Sequence, residues 1–120
     1  MELLSSMQPN DRVRLKHMLD AANDAIEFSS GESRRSFDTN RMLTLSIVKC
    51  IEIMGEAANH VSPEFQKECS DIPWSDVIAM RHRLIHGYYD VDPDIVWDTV
   101  HEDLPSLIAA IKKVLSSTEA

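Results

Sequence analysis

The sequence predicts an all-α protein: an antiparallel bundle of four main helices joined by short helical turns. Three observations carry this expectation. Apolar side chains recur at spacings of three and four along four long stretches. Cap-plus-proline pairs, Ser62-Pro63 and Asp92-Pro93, punctuate those stretches as helix starts. Only three glycines occur in 120 residues, too few for a turn-rich β fold. Hydrophobic residues make up 43% and charged residues 27%, the balance of a globular chain long enough for one core, so residues 1–120 read as one helical domain.

The first helix is expected to start near Asn10 or Asp11, either of which can cap it. Leu15, Met18, Leu19, Ala22 and Ile26 form its apolar side, and Gly31 marks its end. A polar stretch from Ser33 to Arg41 leads to the second helix, with Leu43, Ile47, Cys50, Ile51, Met54, Ala58 and Val61 on one side. Leu45, Val48 and Ile53 add apolar surface elsewhere, as in a central helix or one at a subunit interface. Ser62-Pro63-Glu64-Phe65 opens one short turn. Pro73 starts a third helix bearing Trp74, Val77, Ile78, Leu84 and Ile85, with Gly87 as its stop. Tyr88 to Asp92 is too short for a credible strand. The last helix runs from Asp92-Pro93 through Val96, Trp97, Val100, Leu104, Ile108, Ile111 and Leu115. Pro105 falls inside it and is expected to kink it, because proline lacks a donor and clashes with the preceding turn.

The formal charge is −8, with seven basic and nine acidic side chains in residues 1–60 and five and eleven in residues 61–120. That balance counts against extensive nucleic-acid binding, since neutralising phosphates supplies much of the affinity, but permits a small basic cleft. Cys50 and Cys69 lack paired spacing and read as reduced thiols. The N-terminus has no basic region followed by an apolar run, and no window approaches 18 uninterrupted apolar residues. A cytoplasmic protein without membrane contact is expected.

One segment breaks the pattern. On a wheel of about 100° per residue with Trp74 at zero, Ile78 and Ile85 fall within roughly 40° on one side. Val77 and Leu84 fall within roughly 80° on the other, and Arg81 sits at about −20°, inside the apolar stripe. A guanidinium there needs a partner or an open face. It is either one half of a buried ion pair, with Glu52 or Glu56 opposite, or a group facing a cleft or second subunit. His86 would point about 140° away on a continuous helix, so joint chemistry requires the helix to unwind or a second chain to contribute. His82 and His86 are spaced for zinc, but no third ligand stands at a persuasive spacing, and no metal or other cofactor is expected. His17, His60 and His101 read as ordinary surface or satisfied residues. An arginine–histidine pair suits RNA cleavage. Histidine moves protons near neutral pH, arginine grips phosphate oxygens, and the substrate's own 2′-hydroxyl is the nucleophile.

Residues 72–105, I-P-W-S-D-V-I-A-M-R-H-R-L-I-H-G-Y-Y-D-V-D-P-D-I-V-W-D-T-V-H-E-D-L-P, together with I-E-I-M-G-E-A-A at 51–58 and the following S-P-E-F, resemble the HepT-like branch of the HEPN superfamily. The resemblance covers nearly the whole chain, more weakly over its first third. It implies an all-α, HEPN-like bundle, a homodimer, and a metal-independent endoribonuclease toxin of a toxin–antitoxin pair. The family motif R-x4-H-x-Y falls on Arg81, His86 and Tyr88. The resemblance makes Arg81 and His86 the catalytic pair. It makes Tyr88 the acceptor of AMP from the antitoxin, a minimal nucleotidyltransferase. Many relatives carry asparagine where this chain has His82, which either assists catalysis or only fills the place. Glu56 is a supporting candidate. Arg34, Arg35, Arg41 and Arg83 are candidates for guiding RNA, with solvated surface charge as the competing reading. The rival function is a non-catalytic HEPN-fold subunit that docks to the nucleotidyltransferase; the intact motif favours the enzyme and the charge of −8 favours the rival.

Overall fold

In a computed structural model, residues 6–86 and 90–118 are described, His86 by its backbone alone. The helices are α1 (Asp11–Ser29), α2 (Ser36–Thr39), α3 (Arg41–Asn59), α4 (Pro63–Glu68), α5 (Trp74–Leu84), α6 (Pro93–Asp98) and α7 (Leu104–Ser117). A π-helical turn, Thr99–Asp103, joins α6 to α7. Two-residue strands, β1 (Ile85–His86) and β2 (Asp90–Val91), pair antiparallel with Ile85 opposite Val91 and His86 opposite Asp90.

Local chemistry explains most boundaries. Gly31, at φ 77, takes the left-handed turn that releases the chain from α1. Asn40 caps α3 by accepting from the Leu43 N–H at 3.0 Å. Asp92 caps α6 through the N–H groups of Asp94 and Ile95, at 3.0 and 3.2 Å. Asn10 makes no side-chain cap; the carboxylate of Asp11, 2% exposed, organises the start of α1 instead. It accepts from Gln8 N at 2.8 Å, Ser62 N at 2.9 Å and Ser62 Oγ at 2.7 Å, which ties α1 to the start of α4.

Two expectations are corrected here. The polar stretch before α3 contains the short helix α2, held when Thr44 Oγ donates to the Phe37 carbonyl at 2.9 Å. The disruption at Pro105 takes the form of the π turn. The Leu104 N–H reaches back five residues to the Thr99 carbonyl, and α7 restarts with Pro105 in its first turn, where a missing donor costs nothing.

Helix α3 is central, flanked by α1 and α5, and α1 also packs on α7. Both α3 contacts are antiparallel: Asp11 meets Ser62 just past its C-terminal end, while Glu52 meets Arg81 and Gly55 meets Val77. Leu15, Met18, Ile47, Ile51, Met54, Val77, Leu84, Leu104 and Ile111 fill the interior, each contributing about 1.5–3 kcal/mol by burial. A Cβ at Gly55 would stand 3.3 Å from the Val77 carbonyl oxygen, so this glycine allows α5 to lie close against α3. Leu45 and Ile53 on α3 remain 41% exposed, whereas Val48 is buried. Among the described residues no helix is long and apolar enough to cross a membrane.

Candidate active site

The position of Arg81 follows from which face of α5 is buried. Trp74, Val77, Met80 and Leu84 are buried, while Ile78 and Ile85 are half-buried. On the same wheel the buried face centres near about −65°, so Arg81 stands roughly 45° from it, at the margin of the core. Arg81 falls mid-stripe on the sequence alone only when both isoleucines count as core and Met80 does not. The arginine is 52% exposed, with its Nε 3.4 Å from Glu52 Oε1. The ion pair therefore exists, with Glu52 as partner, but it is not buried. A pair this exposed contributes only about 0–1 kcal/mol, so stability does not account for an arginine at this place. Glu56 turns from Arg81 to His60, whose Nδ1 lies 3.7 Å from Glu56 Oε1 and donates to the Glu56 carbonyl at 2.8 Å.

Helix α5 ends at Leu84, three residues before Gly87. Ile85 is already extended, at φ −114 and ψ 121. The ladder between β1 and β2, extended by the Asp92 N–H donating to the Leu84 carbonyl at 2.7 Å, supplies the backbone partners that another helical turn would have supplied. His86 thus belongs to a strand. The 140° offset calculated for a continuous helix does not apply, and His82 and His86 do not share a helical face. Tyr88 and Gly87 lie outside the described residues. His82 is exposed on the last turn of α5.

Arg81 opens onto a cleft of about 550 Å³ between α1, α3 and α5. Arg14, His17, Lys49, Glu52, Ile53, Glu56 and His60 share its lining. The arginines singled out in the sequence stand elsewhere. Arg34 is held by Asp38 and Asp94, at 3.1 and 2.6 Å. Those carboxylates hold its pKa above the ordinary arginine value, Asp94 most strongly. Arg83 lies 3.8 Å from Asp103. Arg41 lines a second cleft with Asp38 and Asp90, and Arg35 is exposed. On the sequence alone Arg14 and Lys49 attract no notice and His17 and His60 read as ordinary surface or satisfied residues, although Arg14 with His17 and Glu56 with His60 have the spacing that puts side chains on one helix face.

Cys50 and Cys69 are free thiols, each 5% exposed. Burial, then the carboxylates of Glu68, Asp11 and Asp71, push the Cys69 thiol up to about 11, which keeps it protonated and unreactive.

The family model described as Ribonuclease HepT-like matches residues 18–114, and the chain belongs to that family. Among similar proteins, "Putative RNase TTE0752" of Caldanaerobacter subterraneus is 35% identical over 104 residues, covering 87% of this chain and 93% of that one. "Putative RNase MJ1380" of Methanocaldococcus jannaschii is 32% identical over 93 residues, covering 78% and 85%. "Probable ribonuclease HepT" of Thermococcus cleftensis is 30% identical over 108 residues, covering 90% and 98%. No solved structure matches the chain.

Proposed function

We propose that the chain is a metal-independent endoribonuclease toxin of the cytoplasm, one HEPN-like domain over residues 1–120, with Arg81 and His86 as its catalytic pair. The observation that carries this reading is the end of α5 at Leu84, which leaves Arg81 at the mouth of an open cleft and His86 on the strand immediately beyond. In the proposed reaction the 2′-hydroxyl of RNA attacks the adjacent phosphorus. The new O2′–P bond forms as the P–O5′ bond breaks, giving a 2′,3′-cyclic phosphate and a 5′-hydroxyl. His86 moves a proton from the nucleophile or to the leaving oxygen. Arg81, steadied by Glu52, balances the charge that gathers on the phosphoryl oxygens. His82 and Glu56 act from the margin of the site.

The active form in this reading is a two-fold homodimer. Leu45 and Ile53 leave apolar surface on the outer face of α3, and half-buried Ile78 and Ile85 flank Arg81, so a second copy would cover them and bring two motif segments together. Control is by a minimal nucleotidyltransferase that transfers AMP from ATP to the Tyr88 phenol oxygen, with pyrophosphate leaving. The phosphodiester adds a negative charge and bulk that occupy Arg81 and repel RNA. A second reading, a non-catalytic subunit docked to the nucleotidyltransferase, is favoured by the charge of −8.

Controlled expression separates the two. The chain alone is expected to arrest growth and deplete RNA, His86→Ala to do neither, and co-expression with the nucleotidyltransferase to restore growth while adding AMP to Tyr88. Tyr88→Phe should remain toxic under co-expression and Tyr89→Phe should be modified normally. Growth arrest by His86→Ala equal to that of the unaltered chain would reject the catalytic reading. AMP on Tyr89, or silencing of Tyr88→Phe without added mass, would reject the route of control.

A further inference from the structure

The cleft beside Arg81 is out of character with the rest of the molecule. A chain of charge −8 there presents three permanent cations, Arg14, Lys49 and Arg81, and two histidines against two carboxylates. Glu52 is engaged with Arg81 at 3.4 Å, and the Glu56 carboxylate lies 3.7 Å from the His60 ring. Among the described residues neither Arg14 nor Lys49 has a carboxylate within ion-pair distance. The Nε of Arg14 is buried and meets no hydrogen-bond acceptor. A charged donor shielded from water without an acceptor is costly, a cost that movement of the side chain toward an anion in the cleft would relieve.

We propose that this cleft binds the phosphodiester backbone of RNA, with Arg14 and Lys49 as phosphate ligands that lead the strand to Arg81. Naming RNA as the ligand rests on the ribonuclease reading above. Lys49 to His60 spans about 16 Å along α3, room for more than one phosphate. Among the described residues the lining holds no Phe, Tyr or Trp on which bases could stack, so the contact that Arg14 and Lys49 offer is to the backbone and is tolerant of sequence.

The test is fluorescence anisotropy with a 2′-O-methyl RNA oligonucleotide, which lacks the nucleophile and survives the measurement, across a salt titration. Arg14→Gln and Lys49→Gln should each weaken binding severalfold and remove about 0.7 from the slope of log affinity against log salt, the share of one single-strand phosphate. Arg14→Lys should keep most of the affinity, and Lys112→Gln, exposed on α7 outside the cleft, should bind as the unaltered chain does. Homopolymers of different bases should bind within a few-fold of one another. Lys49 is exposed, so its variant folds even if the Arg14 change does not. Unchanged affinity and slope in both glutamine variants would overturn the proposal. So would no binding by the unaltered chain at low salt, or polyglutamate displacing RNA at lower concentration than RNA itself, which would assign the cleft to an acidic protein. Arg14-dependent binding by a chain that never cuts cleavable RNA would leave this site standing and remove the catalytic reading. Cleavage with binding indifferent to both variants would do the reverse.

Discussion

Replacing Asp11 by alanine tests how the bundle is closed at the end where α1 and α4 begin. The carboxylate is 2% exposed and accepts three hydrogen bonds, from Gln8 N, Ser62 N and Ser62 Oγ. Bonds to a charged acceptor contribute about 1.5–3 kcal/mol each, but they are not additive, and water entering the space left by the carboxylate would satisfy part of what is lost. A net loss of about 3–5 kcal/mol is therefore expected, a large share of the about 5–15 kcal/mol that holds a domain together. For a chain of this length that lowers the melting temperature by about 10–20 °C. Asp11→Asn separates charge from shape. Its Oδ1 can still accept from Ser62 N, but an NH2 replaces Oδ2 and faces the Gln8 N–H, donor against donor. Thermal melts followed by circular dichroism should order the proteins as unaltered, then Asp11→Asn, then Asp11→Ala. An Asp11→Ala protein melting within about 3 °C of the unaltered chain would refute the reasoning, because the three bonds would then carry no net stability.

Three further outcomes follow from other parts of the molecule. Gly55→Ala sets a helix-propensity gain of about 0.5–1 kcal/mol against an overpacking cost of about 1–3 kcal/mol, because the new Cβ meets the Val77 carbonyl at 3.3 Å; a modestly lower melting temperature and slower RNA cleavage, from displacement of α5, are expected in melts and rate measurements. Ile53→Arg places a charge on the exposed apolar face of α3, so light scattering should report about 13.6 kDa for the variant and about twice that for the unaltered chain. The Cys69 thiol is raised in the folded state to about 11 from its ordinary value near about 9, so its share of stability is complete below pH 9 and is lost as pH climbs toward about 11. Urea melts should show stability falling over that window and a smaller fall in Cys69→Ala, and alkylation at pH 8 should be slow until the protein unfolds.

Much of this architecture is legible in the sequence because its signals are local. Gly31, Pro73 and the pair Asp92-Pro93 each act through their own backbone, and each stands at or beside the boundary assigned to it. The end of α5 was misplaced because Gly87 is the visible stop, whereas the chain leaves the helix at Ile85 to pair with Val91, six residues ahead. Nothing in Ile85 or His86 alone announces that partner. Pro105 announces a disturbance but not its form, since a kink and a π turn both relieve the same clash. Arg81 stood out because an arginine among apolar residues is a local anomaly. Arg14 and Lys49 did not, because each is an unremarkable surface cation until the antiparallel register of α1 on α3 sets them around one cleft.

The central claim is that Arg81 and His86 cut RNA without a metal. It is tested most directly by incubating the purified chain, Arg81→Ala and His86→Ala with a defined RNA in excess EDTA and analysing the rates and the ends of the products. The account predicts that the unaltered chain cleaves at an EDTA-insensitive rate, leaving 2′,3′-cyclic phosphate and 5′-hydroxyl ends. His86→Ala should be slower by about 10²–10⁴-fold and Arg81→Ala comparably impaired, with both variants folded. Cleavage that stops in EDTA, or a His86→Ala protein that cuts at the unaltered rate, would contradict it.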